Sequence, residues 1–335
     1  MRSAWYGLKK LELYEGVGIL FSLLALTMFF VLGDELDAKQ GVEGFHWHPV
    51  LWIWDIYRTF IPRAFLVALA ALLLIGKWKH GNWRWGLQMT GTIVRLAMPF
   101  IVLLIIYRAV NFYIPVFSPT DRDNWLLAVD HWMFGEQPSI WLQSLIRPWL
   151  SDYFSFVYMI WFPMIFFTVL LMLLKSREAV TSYLTSALFA FYIGYVCYTL
   201  VPAVGPLYTL ADQYTVSLGG GAITSMQMGV VSQDLATPRD VFPSLHTAMS
   251  CVMFYYIAKY RRRWLWLYAP IVVSILMSTI YLRYHYFIDV LAGIALASFT
   301  CYFGRRWNMR WRERRLREAE GVQEEQSGVP VQEVG

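Results

Sequence analysis

The sequence predicts an all-α, polytopic membrane helix bundle of about eight spans with both termini in the cytoplasm. Three observations predict it. Apolar residues make up 58% of the 335 and charged residues only 15%, with a mean hydropathy of +0.45. A soluble domain with so little charge would aggregate, so a bilayer is the expected solvent. The apolar residues gather into runs of membrane-crossing length, and the basic residues fall on alternate connections between them.

A helix needs about 20 residues to cross roughly 30 Å of hydrocarbon. The runs lie at 16–33, 60–76, 92–110, 154–174, 183–201, 244–260, 264–282 and 286–304. Several fall short of that length, which implies tilt or a thinned bilayer. Backbone groups in lipid must be bonded internally and the runs show no alternating strand pattern, so each is read as a helix. The first follows Lys9 and Lys10 but is too long for a signal-peptide core and lacks a small-x-small cleavage site. It is read as a retained span. Aromatic residues reach 18%, with 16 Trp, a load suited to interfacial belts.

Eight spans put both termini on one side, and the charges say which. The termini and the connections on their side hold nineteen Lys and Arg, among them Lys77, Lys79, Lys175, Arg261 to Arg263 and seven Arg from Arg305 to Arg317. The opposite connections hold seven: Lys39, Arg58, Arg63, Arg122, Arg147, Arg239 and Arg283. The positive-inside rule therefore places both termini in the cytoplasm. The net charge of +5 follows this topological pattern, so no nucleic-acid partner is expected. Cys197, Cys251 and Cys301 lie in apolar stretches without a CxxC, which excludes a disulfide framework or thiolate metal site.

Four segments follow: N-terminal spans at 1–110, a non-cytoplasmic amphipathic connection at 111–153, a catalytic membrane core at 154–304, and a basic, then disordered, cytoplasmic tail at 305–335. Within the connection, Trp125, Leu126, Trp132, Trp141 and Leu142 alternate with polar residues, as expected of a segment lying along the outer interface. The Gly219–Gly221 run reads as a flexible loop over the site.

Two of six histidines stand in unusual company. The first is in FPSLHTA at 242–248. Ser244 is a good N-cap, and the helix it opens presents unpaired N–H groups and a positive dipole end to an anion. His246 lies in that first turn, so a phosphate cradle and a proton donor fit within a few residues. The second is in RYHYFIDVLAG at 283–293. His285 and Asp289 are four apart and share a helix face. A carboxylate on one imidazole nitrogen fixes the tautomer and leaves the other nitrogen to attack. Asp289 also sits in the apolar part of a span, where an unpaired carboxylate is costly. The charge count puts both motifs at outer ends, as one shared site requires. Gly205-Pro206 reads as a turn, with close backbone approach to a ligand the other reading. His46, His48, His80 and His131 are assigned no role.

FPSLH and HYFID resemble the second and third signatures of the type 2 phosphatidic acid phosphatase superfamily. VPAVGPLY at 201–208 and VDHWMFGEQPSIWLQ at 129–143 are similar to the branch holding inositol phosphorylceramide synthase (the aureobasidin-resistance type) and its bacterial relatives. The resemblance covers roughly 120–304. It implies that His285 is the nucleophile that becomes a phosphohistidine, that His246 protonates the leaving oxygen, and that Asp289 orients the nucleophile. Three positions depart from the signatures: Ile140 stands where a lysine precedes Arg147-Pro148, Leu245 replaces a glycine, and Thr279 replaces an arginine. The remaining candidates for binding phosphate are Arg239, Arg283 and Arg108, with Ser244 and Gly205 supplying backbone or hydroxyl groups.

The expected activity is transfer of phosphate on a membrane lipid, without a cofactor or metal, at the periplasmic or exterior face of the plasma (inner) membrane. The acceptor is an alcohol such as inositol or a sugar; water instead would make the chain a phosphatase. Neither GxGxxG nor GxxxxGK[ST] occurs. Other readings stay open: a structural polar cluster, a two-His-one-carboxylate metal site, a transporter with Arg95 and Arg108 lining a path, and a non-catalytic membrane partner. For Arg239 and Arg283, snorkelling or a lipid-headgroup contact is the other reading.

Overall fold

The computed structural model describes residues 11–40, 70–71, 73–79, 81, 83–231 and 239–327. Among these, secondary structure is helical apart from a single parallel bridge between Ala203 and Asp240. Helices α1 (Leu13–Val31), α2 (Gly33–Gln40) and α3 (Arg84–Phe117) form the N-terminal part. Short helices α4 (Asp123–Phe134) and α5 (Pro138–Leu142) lead to α6 (Pro148–Leu173) and α7 (Arg177–Leu200). Then come α8 (Pro206–Thr209), α9 (Ala222–Val231), α10 (Leu245–Tyr260), α11 (Leu265–Tyr281) and α12 (Phe287–Ser327).

Among the described residues, five helices are long and apolar enough to cross a membrane: α3, α6, α7, α11 with its preceding turn, and α12 through Glu318. They contain the runs at 92–110, 154–174, 183–201, 264–282 and 286–304, give or take a terminal residue. The run at 16–33 is shorter, with Leu13–Met28 as its apolar helix. The run at 60–76 lies largely outside the described residues, as do His46, His48 and His80. The run at 244–260 is α10, only 16 residues long, or about 24 Å. It packs among α6, α7, α11 and α12, so neighbouring helices supply most of its apolar surroundings.

Two boundaries differ from expectation. Helix α3 runs on to Phe117 across Pro99 and Pro115, shortening the connection expected from residue 111. Helix α12 continues through the arginines to Ser327, whereas disorder was expected after Arg317. The residues from Glu318 to Ser327 include four Glu, two Gln and one Ala, good helix formers that outnumber Gly321 and Val322, and they extend a helix already nucleated in the bundle.

Helix α7 is the hub. Ser176 caps it, its hydroxyl accepting from the Ala179 N–H at 3.1 Å, and it touches α1, α3, α6, α10 and α12. Glu12, before α1, accepts from Arg177 of α7 at 2.6 Å and lies 3.5 Å from Arg315 of α12. Glu15 pairs with Arg95 of α3. These ion pairs tie four helices together at the end of the bundle remote from His246 and His285.

Small residues set the closest crossings. A Cβ on Gly293 of α12 would stand 2.6 Å from the Ser244 carbonyl oxygen and 2.9 Å from Thr247 Cβ. Backbone cannot yield as a side-chain tip can. We therefore expect Gly293→Ala to lower stability by about 1–3 kcal/mol, although alanine is the better helix former by ~1 kcal/mol. Gly91→Ala in α3, where the new methyl meets open space, is expected to be neutral or stabilising. Thermal melting in detergent measures both, and a Gly293→Ala protein as stable as the parent would contradict the crossing.

Candidate functional site

The two histidine motifs meet because α10 begins against the first turn of α12. The Ser244 N–H donates to the Asp289 carbonyl oxygen at 3.1 Å, and the Ser244 hydroxyl accepts from the Thr247 N–H at 3.3 Å. Ser244 is thus the N-cap its sequence suggests, wholly buried. In the same first turn, two residues on, His246 stands 6.2 Å from His285 between ring centroids.

His285 precedes α12. Its Nδ1 lies 3.0 Å from the Val241 carbonyl oxygen and 3.5 Å from Asp289 Oδ2. A carbonyl only accepts, so Nδ1 carries the proton and Nε2 keeps its lone pair. The sequence assigned that orienting task to Asp289 alone; the backbone of Val241 makes the shorter contact. Asp289 Oδ2 also accepts from the Tyr286 N–H at 2.8 Å, closing the first turn of its own helix, while Oδ1 is buried without a hydrogen-bond partner. The carboxylate therefore acts from behind the imidazole.

His246 is held by aromatic faces. Tyr158 stacks on it at 4.2 Å and 23°, Trp161 sits 4.2 Å away on a tilted plane, and the Trp161 indole N–H donates to the His246 carbonyl at 3.1 Å. Both rings come from α6, whose apolar run hid them among core residues. Asp240, which also escaped the sequence reading, reaches the site through its bridge to Ala203 and accepts from the Tyr107 hydroxyl.

A cavity of about 480 Å³ opens here, lined by both histidines, Asp240, Gln227 and a ring of tyrosines. Its remaining wall is apolar, with Leu104 of α3 and Met159 and Phe162 of α6. Leu104 and Phe162 are exposed on the flank of the bundle.

Arg239, Arg283, Ser244 and Gly205, expected to bind phosphate, do not line the cavity. Arg239 pairs with Asp121 at 3.0 Å. Arg283 is buried with its guanidinium 3.6 Å over the Tyr214 ring and donates to the Val216 carbonyl. Burial lowers its pKa from the usual arginine value, yet a guanidinium stays charged. Neither arginine lines the cavity. The side chain of Arg108 lies outside the described residues. Gly205 adopts φ 89° and gives its N–H to Asp123 at 2.9 Å; the close approach it permits is to the Tyr284 carbonyl, 2.8 Å from where a Cβ would stand. Among the described residues, no three His, Cys, Asp or Glu side chains are placed to share a metal ion.

Burial pushes the His285 imidazole down to about 4, against Asp240 and the Val241 carbonyl, which favour the cation. A base with a lowered pKa stays neutral above it, so His285 keeps its lone pair at ordinary pH and loses it only as pH falls through about 4. Nitrogen NMR of ¹⁵N-histidine protein in micelles, with His285→Gln for assignment, is expected to show that midpoint. Titration of His285 near 6.5 would contradict the buried, neutral ring.

No curated protein and no solved structure matches the chain in comparison. A family model does: the model described as the PAP2 superfamily matches residues 124–303, more than half of the chain and the whole of the cavity apart from its α3 wall. Members of that superfamily are generally phosphatases or phosphotransferases, and several apolar helices accompany the match. With both histidines in the matched region and facing one cavity, the chain belongs to the PAP2 superfamily, the superfamily its motifs resemble.

Proposed function

We propose that this protein is an integral membrane phosphotransferase acting on a lipid phosphate through a covalent intermediate on His285. The observation that supports it best is that His246 and His285 line one cavity with their rings 6.2 Å apart, and that His285 Nδ1 is already engaged. In the first step Nε2 of His285 attacks phosphorus. A P–N bond forms, the bond to the leaving oxygen breaks, and protonated His246 gives that oxygen its proton. In the second step an acceptor hydroxyl attacks phosphorus, passes its proton to His246, and the P–N bond breaks. Asp289, 3.5 Å from His285 Nδ1, supports the imidazolium that develops. Acid–base help of this kind contributes about 10²–10⁴-fold.

A lipid substrate is supported by the shape of the cavity. The polar end holds the histidines, and the apolar end reaches the flank of the bundle at Leu104 and Phe162. A head group there leaves its hydrocarbon chain in the bilayer. The basic asymmetry of the connections supports a site on the periplasmic or exterior face of the plasma (inner) membrane. The stretches at 129–143 and 201–208 favour transfer to an alcohol such as inositol or a sugar, in the manner of inositol phosphorylceramide synthase. Water in the acceptor position would give a lipid phosphate or polyprenyl pyrophosphate phosphatase.

Purified protein in detergent tests the reading. The donors are phosphatidic acid, a polyprenyl pyrophosphate and phosphatidylinositol, each with and without diacylglycerol, ceramide or inositol, all in EDTA. Turnover of one donor is expected, lost in His285→Ala and reduced about 10²–10⁴-fold in His246→Ala. A donor consumed only with an alcohol present identifies the transferase, and release without one identifies the phosphatase. Activity abolished by EDTA, or retained by His285→Ala, would contradict the mechanism.

A further inference from the structure

Helix α4 is amphipathic in an inverted sense. Its buried face holds Asp123, Leu126 and Asp130, while Trp125 and Trp132 are exposed. The three buried residues are spaced i, i+3 and i+7, a single face of a helix. Asp130 is 1% exposed and Asp123 is 4% exposed. Burying a carboxylate is expensive unless its oxygens are satisfied, and here every oxygen is.

What satisfies them is the segment around His285. Asp130 Oδ2 accepts from the Phe287 N–H at 2.7 Å, and Oδ1 accepts from the Ile288 N–H at 2.9 Å. These are the first two N–H groups of α12, which have no partner within their own helix. A carboxylate from another helix thus caps the element that carries Asp289 and follows His285, in the field that favours an anion. Phe134 of α4 adds an edge-on contact with Phe287 at 4.8 Å. Asp123 works one residue earlier. Its Oδ1 accepts from the Tyr286 hydroxyl at 2.8 Å and the Gly205 N–H at 2.9 Å, and its Oδ2 from the Val204 N–H at 3.0 Å. The Arg122 N–H reaches the Pro202 carbonyl at 2.7 Å. Helix α4 therefore grips both the 202–205 loop and residues 286–288.

We propose that Asp130 and Asp123 are positioning residues for the transfer step, fixing His285 at the distance and angle from which Nε2 attacks phosphorus; this rests on the reading of His285 as nucleophile. Neither carboxylate lines the cavity, so neither touches the substrate. Their effect passes through the backbone on either side of Tyr286, where a displacement of about 1 Å at the nucleophile costs on the order of 10²-fold in rate.

The test uses the full chain in detergent with whichever donor it turns over. Asp130→Asn keeps the shape but offers one acceptor oxygen and sets an NH₂ group against the other N–H. It is expected to lower kcat about 10- to 100-fold with KM within about threefold, because binding is left alone and attack geometry is not. Tyr286→Phe removes the hydroxyl that Asp123 accepts from and that also meets Thr209 at 2.7 Å, and leaves the ring packed; a smaller kcat loss of about three- to tenfold, again at constant KM, is expected. Glu136→Gln, just past the exposed end of α4, is the control and is expected to behave as wild type. Should Asp130→Asn fail to fold, Tyr286→Phe and Asp123→Asn decide by the same split of kcat from KM. Wild-type kcat in the folded variants, with His285→Ala dead, overturns the positioning role and leaves the mechanism standing. No turnover by the wild-type chain on any donor overturns both.

Discussion

The backbone contact between Ser244 and the first turns of α12 sets where both histidines stand. The Ser244 N–H bonds to the Asp289 carbonyl, and Gly293 lets the Ser244 carbonyl approach more closely than any side chain would allow. The contact joins the start of one helix to the start of another, so residues about forty apart in sequence share one cavity. A Leu245 side chain packed against Gly194 of α7 fixes the same helix from its other flank. Because backbone makes the approach, the separation of His246 from His285 is set by helix geometry rather than by flexible side chains.

Around that crossing, charge and ring surface divide the work. His285 faces a carbonyl that decides its tautomer, and His246 lies between two aromatic faces from α6. Rings close against the pair restrict water, which strengthens every electrostatic contact made there. The ion pairs of Glu12 and Glu15 sit at the remote end, so the two ends of the bundle have different jobs. One end is held by charge between helices. The other holds the two histidines, and its buried carboxylates on α4 are satisfied mainly by backbone N–H groups.

Much of this was legible in the sequence, for identifiable reasons. Apolar length and the 3.6-residue geometry of helices are local properties, so five long helices fall where the runs lie, and Ser244 is a cap because capping is local too. His246 and His285 could be paired because each motif ends a span on the same charge-defined face. The surroundings of the arginines expected to bind phosphate could not be read. Whether Arg239 meets a substrate or Asp121, and whether Arg283 meets a substrate or Tyr214 and Val216, depends on loops whose paths leave no periodic trace. Asp123 and Asp130 were hidden by the same cause: in a helix rich in Trp, acidic residues read as the wet face, and only the tertiary structure shows the Trp face outward and the acids inward. Tyr158 and Trp161 looked like any other aromatic residues of a span. Helix α12 outran its expected end because good helix formers extend a helix already formed.

In the proposed mechanism His285 carries the phosphoryl group between donor and acceptor. Trapping that species tests it most directly: brief exposure of the protein to a ³²P-labelled lipid donor, a quench in base, and mapping of the label by peptide digestion. The account predicts an acid-labile, base-stable adduct on the peptide containing His285. The adduct should be absent from His285→Ala, should form more slowly when His246 is replaced, and should accumulate when the acceptor is withheld. Turnover that continues with no label on that peptide under any of these conditions would contradict it.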